Sequence, residues 1–143
     1  MSDEPVSAGA PPIPEPVSNP DNQGFWDGCR QHELRLQRCR QCGAVRHQPR
    51  PMCAQCTSLE YDWARASGRG TVYTFTIIHG PTLPAFRDQL PYNVAVVQLE
   101  EGPFIVTNIV GCAAAHIHIG MRVVVEFDDV SDTLSLPKFR PPA

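Results

Sequence analysis

Cys39-x2-Cys42-x10-Cys53-x2-Cys56 is the one pattern in this 143-residue chain whose spacing states a chemistry outright. Two short cysteine loops each set a pair of thiolates on one side of a turn, and two such pairs complete a tetrahedron of sulfur ligands for a single ion. With four thiolates the coordination sphere is closed. No position is left for a catalytic water, so the metal is structural. Zinc is the expected occupant. Iron in a rubredoxin-like site is the chemical alternative, because tetrahedral sulfur suits both. Gly43 follows the first pair where the backbone must turn under the ion, while Thr57 stands in the matching place after the second. Six cysteines would suggest disulfides in a secreted chain. The start MSDEPVSAGAPPIPEP, however, has neither a basic opening nor an apolar core, so the cysteines read as metal ligands of a cytoplasmic protein.

Other residues with chemical potential are scattered. Arg35, Arg38, Arg40, Arg46 and Arg50 surround the cysteine loops, and planar guanidinium groups match phosphate well. His79 sits at the mouth of a proline-bounded excursion, GPTLPAFRDQLP (80–91), that also carries Phe86. A connection of that length commonly holds function. His116 and His118 alternate with Ile117 and Ile119, which in an extended segment turns both imidazoles to one side; no third ligand is in view, so a solvated edge is the plainer reading. Cys29 and Cys112 lie outside the cluster and read as small buried side chains. There is no G-x-S-x-G elbow, P-loop, G-x-G-x-x-G turn or H-E-x-x-H helix. The chain therefore lacks a recognisable catalytic set.

The elements that must position these groups follow from composition. Residues 1–21 are rich in proline and small polar residues and form a disordered tail or linker. A short helix is predicted from about Asn22 to Gln31, with Asp21 or Asn22 as N-cap and Phe25, Trp26 and Cys29 on one face. Leu34 and Leu36 then alternate with Arg35 and Gln37, as in a strand entering the metal site. Five segments rich in β-branched residues, 70–79, 92–100, 103–111, 121–129 and 133–139, fit a small barrel. Glu100-Glu101-Gly102-Pro103 makes the second and third a hairpin, and 111–120 has room for only a turn or two of helix. No stretch approaches the roughly 20 apolar residues that span a bilayer. The net charge of −3 conceals eight arginines against four acids in residues 25–70, which invites an anionic partner: nucleic acid, or the phosphates of a cofactor such as coenzyme A. The pI of about 5.9 argues against a dedicated nucleic-acid binder.

The order of parts carries a resemblance. An FWDG helix, the four-cysteine ribbon, SGRGTVYTFT, a proline-bounded loop, EEGPFIVTNIVG, IGMRVVVEF and a closing LPKFRP together resemble the domain-of-unknown-function-35 family over about residues 22–142. The resemblance implies a mainly β fold made of an N-terminal helix, a rubredoxin-like zinc ribbon (22–66 with the helix) and a five-stranded OB-fold barrel (67–143). It further implies a non-catalytic partner of thiolase-like enzymes, including lipid-transfer-protein-like aldolases of steroid side-chain degradation, that helps hold an acyl-CoA. Some relatives are fused to a MaoC-like enoyl-CoA hydratase, and the proline-rich start resembles such a linker. On this reading Arg38, Arg46, Arg50, His79 and Phe86 contact a coenzyme A thioester or the partner enzyme. A nucleic-acid binder built on the same fold is the alternative.

Overall fold

The computed structural model describes residues 12–143. The expected disordered tail over 1–21 therefore falls partly on residues 1–11, which lie outside the described residues. At Asn19 the chain turns: its Oδ1 accepts the backbone N–H groups of Asp21 and Asn22, each at 2.9 Å. Helix α1 (Gln23–Arg30) follows, with Asn22 at its N-cap. Two glycines give it little intrinsic stability, so tertiary contact must supply the rest. Phe25 and Cys29 are buried in the core. The glycines are sites of close approach, since a Cβ at Gly24 would lie 2.3 Å from the Trp63 ring and one at Gly28 would lie 2.8 Å from the Glu33 carbonyl oxygen.

Strands β1 (Arg35–Cys39), β2 (Val45–Arg46) and β3 (Tyr61–Arg65) form an antiparallel sheet in the order β2-β1-β3. The register sets Gln37 opposite Arg46 on one side and Trp63 on the other, and Cys39 opposite Tyr61. Five further strands, β4 (Arg69–Ile78), β5 (Tyr92–Leu99), β6 (Phe104–Thr107), β7 (Arg122–Asp129) and β8 (Ser135–Arg140), run antiparallel in the order β6-β5-β4-β7-β8. A bulge at Tyr73 bends β4. The sheet curls until Ile109 bridges Phe139 in parallel, with Val110 N–H donating to Phe139 O at 2.8 Å and Phe139 N–H to Asn108 O at 3.1 Å. The result is the expected nearly closed five-stranded barrel.

Val72, Ala95, Val97, Ile105, Val123 and Phe139 fill the barrel, and this core continues without a break into Phe25, Cys29, Leu34 and Leu36. The ribbon is thus anchored on the barrel by apolar burial. A second tie joins them: His32 stacks on Phe127 (centroids 5.2 Å apart), and its Nε2 lies 2.9 Å from Asp129 Oδ1. Between β6 and β7 the chain makes only a 3-10 turn, Ala114–His116. This is the turn or two expected of the connection, so the extended geometry that would set His116 and His118 on one side is not met. His116 N–H donates to Ala113 O (2.9 Å) and Met121 N–H to His118 O (3.1 Å), so Ile117 turns into the core while Ile119 stays exposed. Among the described residues, no helix is long and apolar enough to cross a membrane.

Candidate metal centre and the surfaces around it

Cys39 ends β1, and the backbone then folds twice in the same way. Gly43 N–H donates to Cys39 O and Cys39 N–H to Ala44 O; Thr57 N–H donates to Cys53 O and Cys53 N–H to Ser58 O, all at 2.9 Å. Both loops turn on a left-handed residue, Gly43 at φ 77° and Thr57 at φ 64°. Repetition brings the four sulfurs within 4.8 Å of one another, Cys39 to Cys56 at 3.5 Å and Cys42 to Cys53 at 3.6 Å. Sulfurs placed tetrahedrally around zinc at its usual bond length stand about 3.8 Å apart, so the donor set has the size and softness for one such ion.

The four thiols differ in their electrostatics, two being lowered and two, Cys42 and Cys56, raised. The backbone N–H of Cys42 draws the Cys39 thiol down to about 6, and that of Cys56 lowers Cys53. At Cys56 the Ser58 amide pulls downward, but desolvation and the neighbouring sulfurs prevail and push it to about 12. Thiolates crowded this closely repel one another, and a divalent cation removes that repulsion. Cys29, outside the cluster, is pushed up to about 12 by burial and is an inert thiol. Among the described residues these four cysteines are the one group of three or more metal-ligating side chains that converges.

The arginines of residues 25–70 divide into two sets. Arg30 pairs with Asp27, Arg35 and Arg65 with Glu33, Arg40 with Asp62 and Arg69 with Glu100. Arg38, Arg46 and Arg50 have no carboxylate partner among the described residues. Arg38 and Arg50 are exposed, whereas Arg46 is tied down. Its Nε–H donates to Gln37 Oε1 (2.7 Å), its Nη2 to Arg50 O (2.8 Å), and its guanidinium lies over the Tyr61 ring at 5.3 Å. Gln37 is the hub of this arrangement. Its side chain is fully buried and also accepts the Arg50 N–H (2.8 Å). Alternation in LRLQRC sets Gln37 on the face opposite Leu34 and Leu36, yet it is buried there, because Arg46, the Arg50 backbone and the Asp21 carbonyl, to which its Nε2 donates at 3.3 Å, close over it.

His79 and Phe86 belong to a different place. The 80–91 excursion contains a 3-10 helix, Pro84–Gln89, and folds back on Tyr92, whose hydroxyl is 3.0 Å from Thr82 Oγ1 and whose ring is 6.1 Å from that of Phe86. In the β4–β5 ladder Ile78 pairs with Tyr92 at this end, while Gly70 pairs with Leu99 at the end nearest the ribbon arginines. At about 3.3 Å per residue the two ends are roughly 25 Å apart. The structure thus brings Arg46 and Arg50 together and leaves His79 and Phe86 at the far end of the barrel.

Two family models cover most of the chain: the ChsH2 rubredoxin-like zinc ribbon domain over residues 26–62 and the ChsH2 C-terminal OB-fold domain over residues 63–128. A probable enoyl-CoA hydratase alpha subunit of Thermomonospora curvata is 43% identical over 128 residues, 90% of this chain and 40% of the relative. The 3-oxo-4,17-pregnadiene-20-carboxyl-CoA hydratase alpha subunit of Mycobacterium tuberculosis is 38% identical, over 82% of this chain and 37% of its own. The chain thus spans about two fifths of the length of these hydratase subunits. A DUF35 domain-containing scaffold protein of Methanothermobacter thermautotrophicus is 34% identical, over 72% of this chain and 77% of its own. Among solved structures, a chain of the Ltp2-ChsH2(DUF35) aldolase superposes with a TM-score of 0.83 at 42% identity, covering 89% of this chain and 98% of that one. A DUF35-family protein of unknown function from Sulfolobus solfataricus shares the fold, with a TM-score of 0.61 at 15% identity.

Proposed function

Since the chain belongs to the DUF35 scaffold family, as a ChsH2-type zinc ribbon joined to an OB-fold, we propose that it is a non-catalytic accessory subunit of a thiolase-like enzyme acting on acyl-CoA thioesters. The observation that carries this reading is the match, over nearly the whole of both chains, to a chain of the Ltp2-ChsH2(DUF35) aldolase. The partner is then a lipid-transfer-protein-like aldolase or a thiolase. The names of the hydratase alpha subunits add support for acyl-CoA, and for a steroid side chain as the acyl group. They also suggest a MaoC-like hydratase as a further neighbour.

The closed cysteine cluster fits the same reading, since zinc held by Cys39, Cys42, Cys53 and Cys56 supplies stability and offers no open position for substrate. Arg38, exposed and free of carboxylates, would meet the phosphates of the thioester, while Arg50, whose backbone Arg46 holds in place, would meet the partner. His79 and Phe86, at the opposite end, would be a second point of contact with the partner. Acyl-CoA cleavage by the aldolase subunit, measured with and without this chain, tests the proposal. A rate that rises on addition of the zinc-loaded chain supports it; an aldolase subunit fully active and stable alone removes it.

One observation favours a second reading. Tyr73 and Phe104 form an exposed edge-to-face pair, centroids 5.0 Å apart, on a surface that OB-folds use for stacking nucleobases. Failure to be retained on single-stranded DNA at low salt would dismiss it.

A further inference from the structure

The barrel is least finished at β6. In its sheet β6 pairs with β5 alone: its last residue, Thr107, gives β8 only a side-chain bond (Oγ1–H to Pro137 O, 2.9 Å), and backbone closure onto β8 is made beyond its end, through Ile109 and Phe139. Facing the strand are Leu136 and Pro137, and a proline has no N–H to give. Phe104 and Val106 point outward from this edge, 43% and 63% exposed, where soluble proteins ordinarily place charge. The ribbon segment 45–49 forms an opposite bank. Two clefts of about 420 Å³ and 370 Å³ share His47 and together make one trough along β6, the first bordered by Trp26 and Val106, the second by Arg50 and Phe104.

The trough also has unsatisfied polarity. Arg46 Nη1 and His47 Nδ1 are buried there without a hydrogen-bond partner, which finished interiors seldom tolerate. The exposed Arg50 side chain adds positive charge. Glu101, the carboxylate on this rim, accepts the Ser67 N–H at 2.7 Å, and Lys138 at the other end pairs with Asp128 at 2.9 Å. An unpaired strand edge, apolar side chains at alternate positions and cationic groups along one bank are what an extended acidic segment requires.

We propose that this trough is the docking groove for an extended, acidic segment of the thiolase-like subunit, which adds as a short strand to the free edge of β6. Its backbone pairs with β6, an apolar side chain packs on Phe104 and Val106, and a carboxylate reaches the exposed Arg50 guanidinium. The inference rests on the accessory-subunit reading and adds the surface through which that role is exercised.

The test is the affinity of the zinc-loaded full chain for the Ltp2 aldolase subunit, measured by titration calorimetry. Val106→Arg and Arg50→Glu are compared with Asp132→Arg at the β7–β8 turn, and thermal melts verify that all three remain folded. Each groove variant is expected to weaken binding roughly tenfold or more and the control by less than about twofold, with the amides of residues 104–106 gaining protection from hydrogen exchange in the complex. If the natural chain binds and both groove variants bind equally well, or protection appears only elsewhere, the groove inference is overturned and the subunit reading stands. If the natural chain does not bind, the subunit reading itself fails and takes the groove with it. Retention of a single-stranded oligonucleotide that Arg50→Glu abolishes, in place of the protein complex, overturns the groove as well.

Discussion

Thr57 holds a left-handed φ of 64°, which a β-branched side chain adopts only when its surroundings demand it, whereas Gly43 fills the matching position in the other loop freely. Thr57→Gly should therefore stabilise the metal-bound ribbon by about 1 kcal/mol, less whatever is lost with the 2.6 Å bond from its hydroxyl to Cys56 O. Slower transfer of zinc to a colorimetric chelator is the expected result. His47 makes a second prediction, because burial lowers it from 6.5 to about 4. The folded state keeps it neutral, so as pH falls through 6.5 the unfolded chain takes up the proton first. Stability is then full above pH 6.5 and declines between pH 6.5 and 4, by at most about 3 kcal/mol. His47→Gln should flatten that part of a urea-denaturation profile, and an unchanged slope would contradict the assignment. At this scale the sequence was legible where spacing carries the chemistry, as in the cysteines, and illegible where tertiary register decides. Nothing local in Leu36-Gln37-Arg38 says that the glutamine is buried and organises two arginines, because its partners Arg46, Arg50 and Asp21 are brought to it from 9 to 16 residues away along the chain.

Helix α1 and the cysteine loops are held by different forces, and this separates their predicted failures. The helix depends on packing. Gly24→Ala drives a methyl group into the Trp63 ring and should cost about 1–3 kcal/mol in urea denaturation, with zinc still bound. The loops between Cys39 and Cys56 have two residues of strand and little core, so the ion holds them. Chelation, or Cys39→Ala, should raise amide exchange across residues 40–58 while β4 and β5 remain protected. Loss of protection throughout would mean that the barrel depends on the metal too. The five barrel strands could be read from their β-branched residues and turn signals to within a few residues. The short connection at 111–120 was legible as a turn or two, and Gly111 and Gly120, both at positive φ, bracket the one 3-10 turn it makes.

Across the molecule, five of the eight arginines that sequence places in residues 25–70 pair with carboxylates, and the three that do not are Arg38, Arg46 and Arg50. Charge summed along a chain cannot show this. Nor can it show that the ribbon arginines and the 80–91 excursion lie at opposite ends of the β4–β5 ladder, giving two separate faces. The central claim is that this chain works as part of a complex. Its most direct test is co-expression with an Ltp2-type aldolase subunit followed by size-exclusion chromatography of the zinc-loaded material. The account predicts one stable peak containing both chains, lost when zinc is removed; separate elution of two intact proteins at micromolar concentration would contradict it.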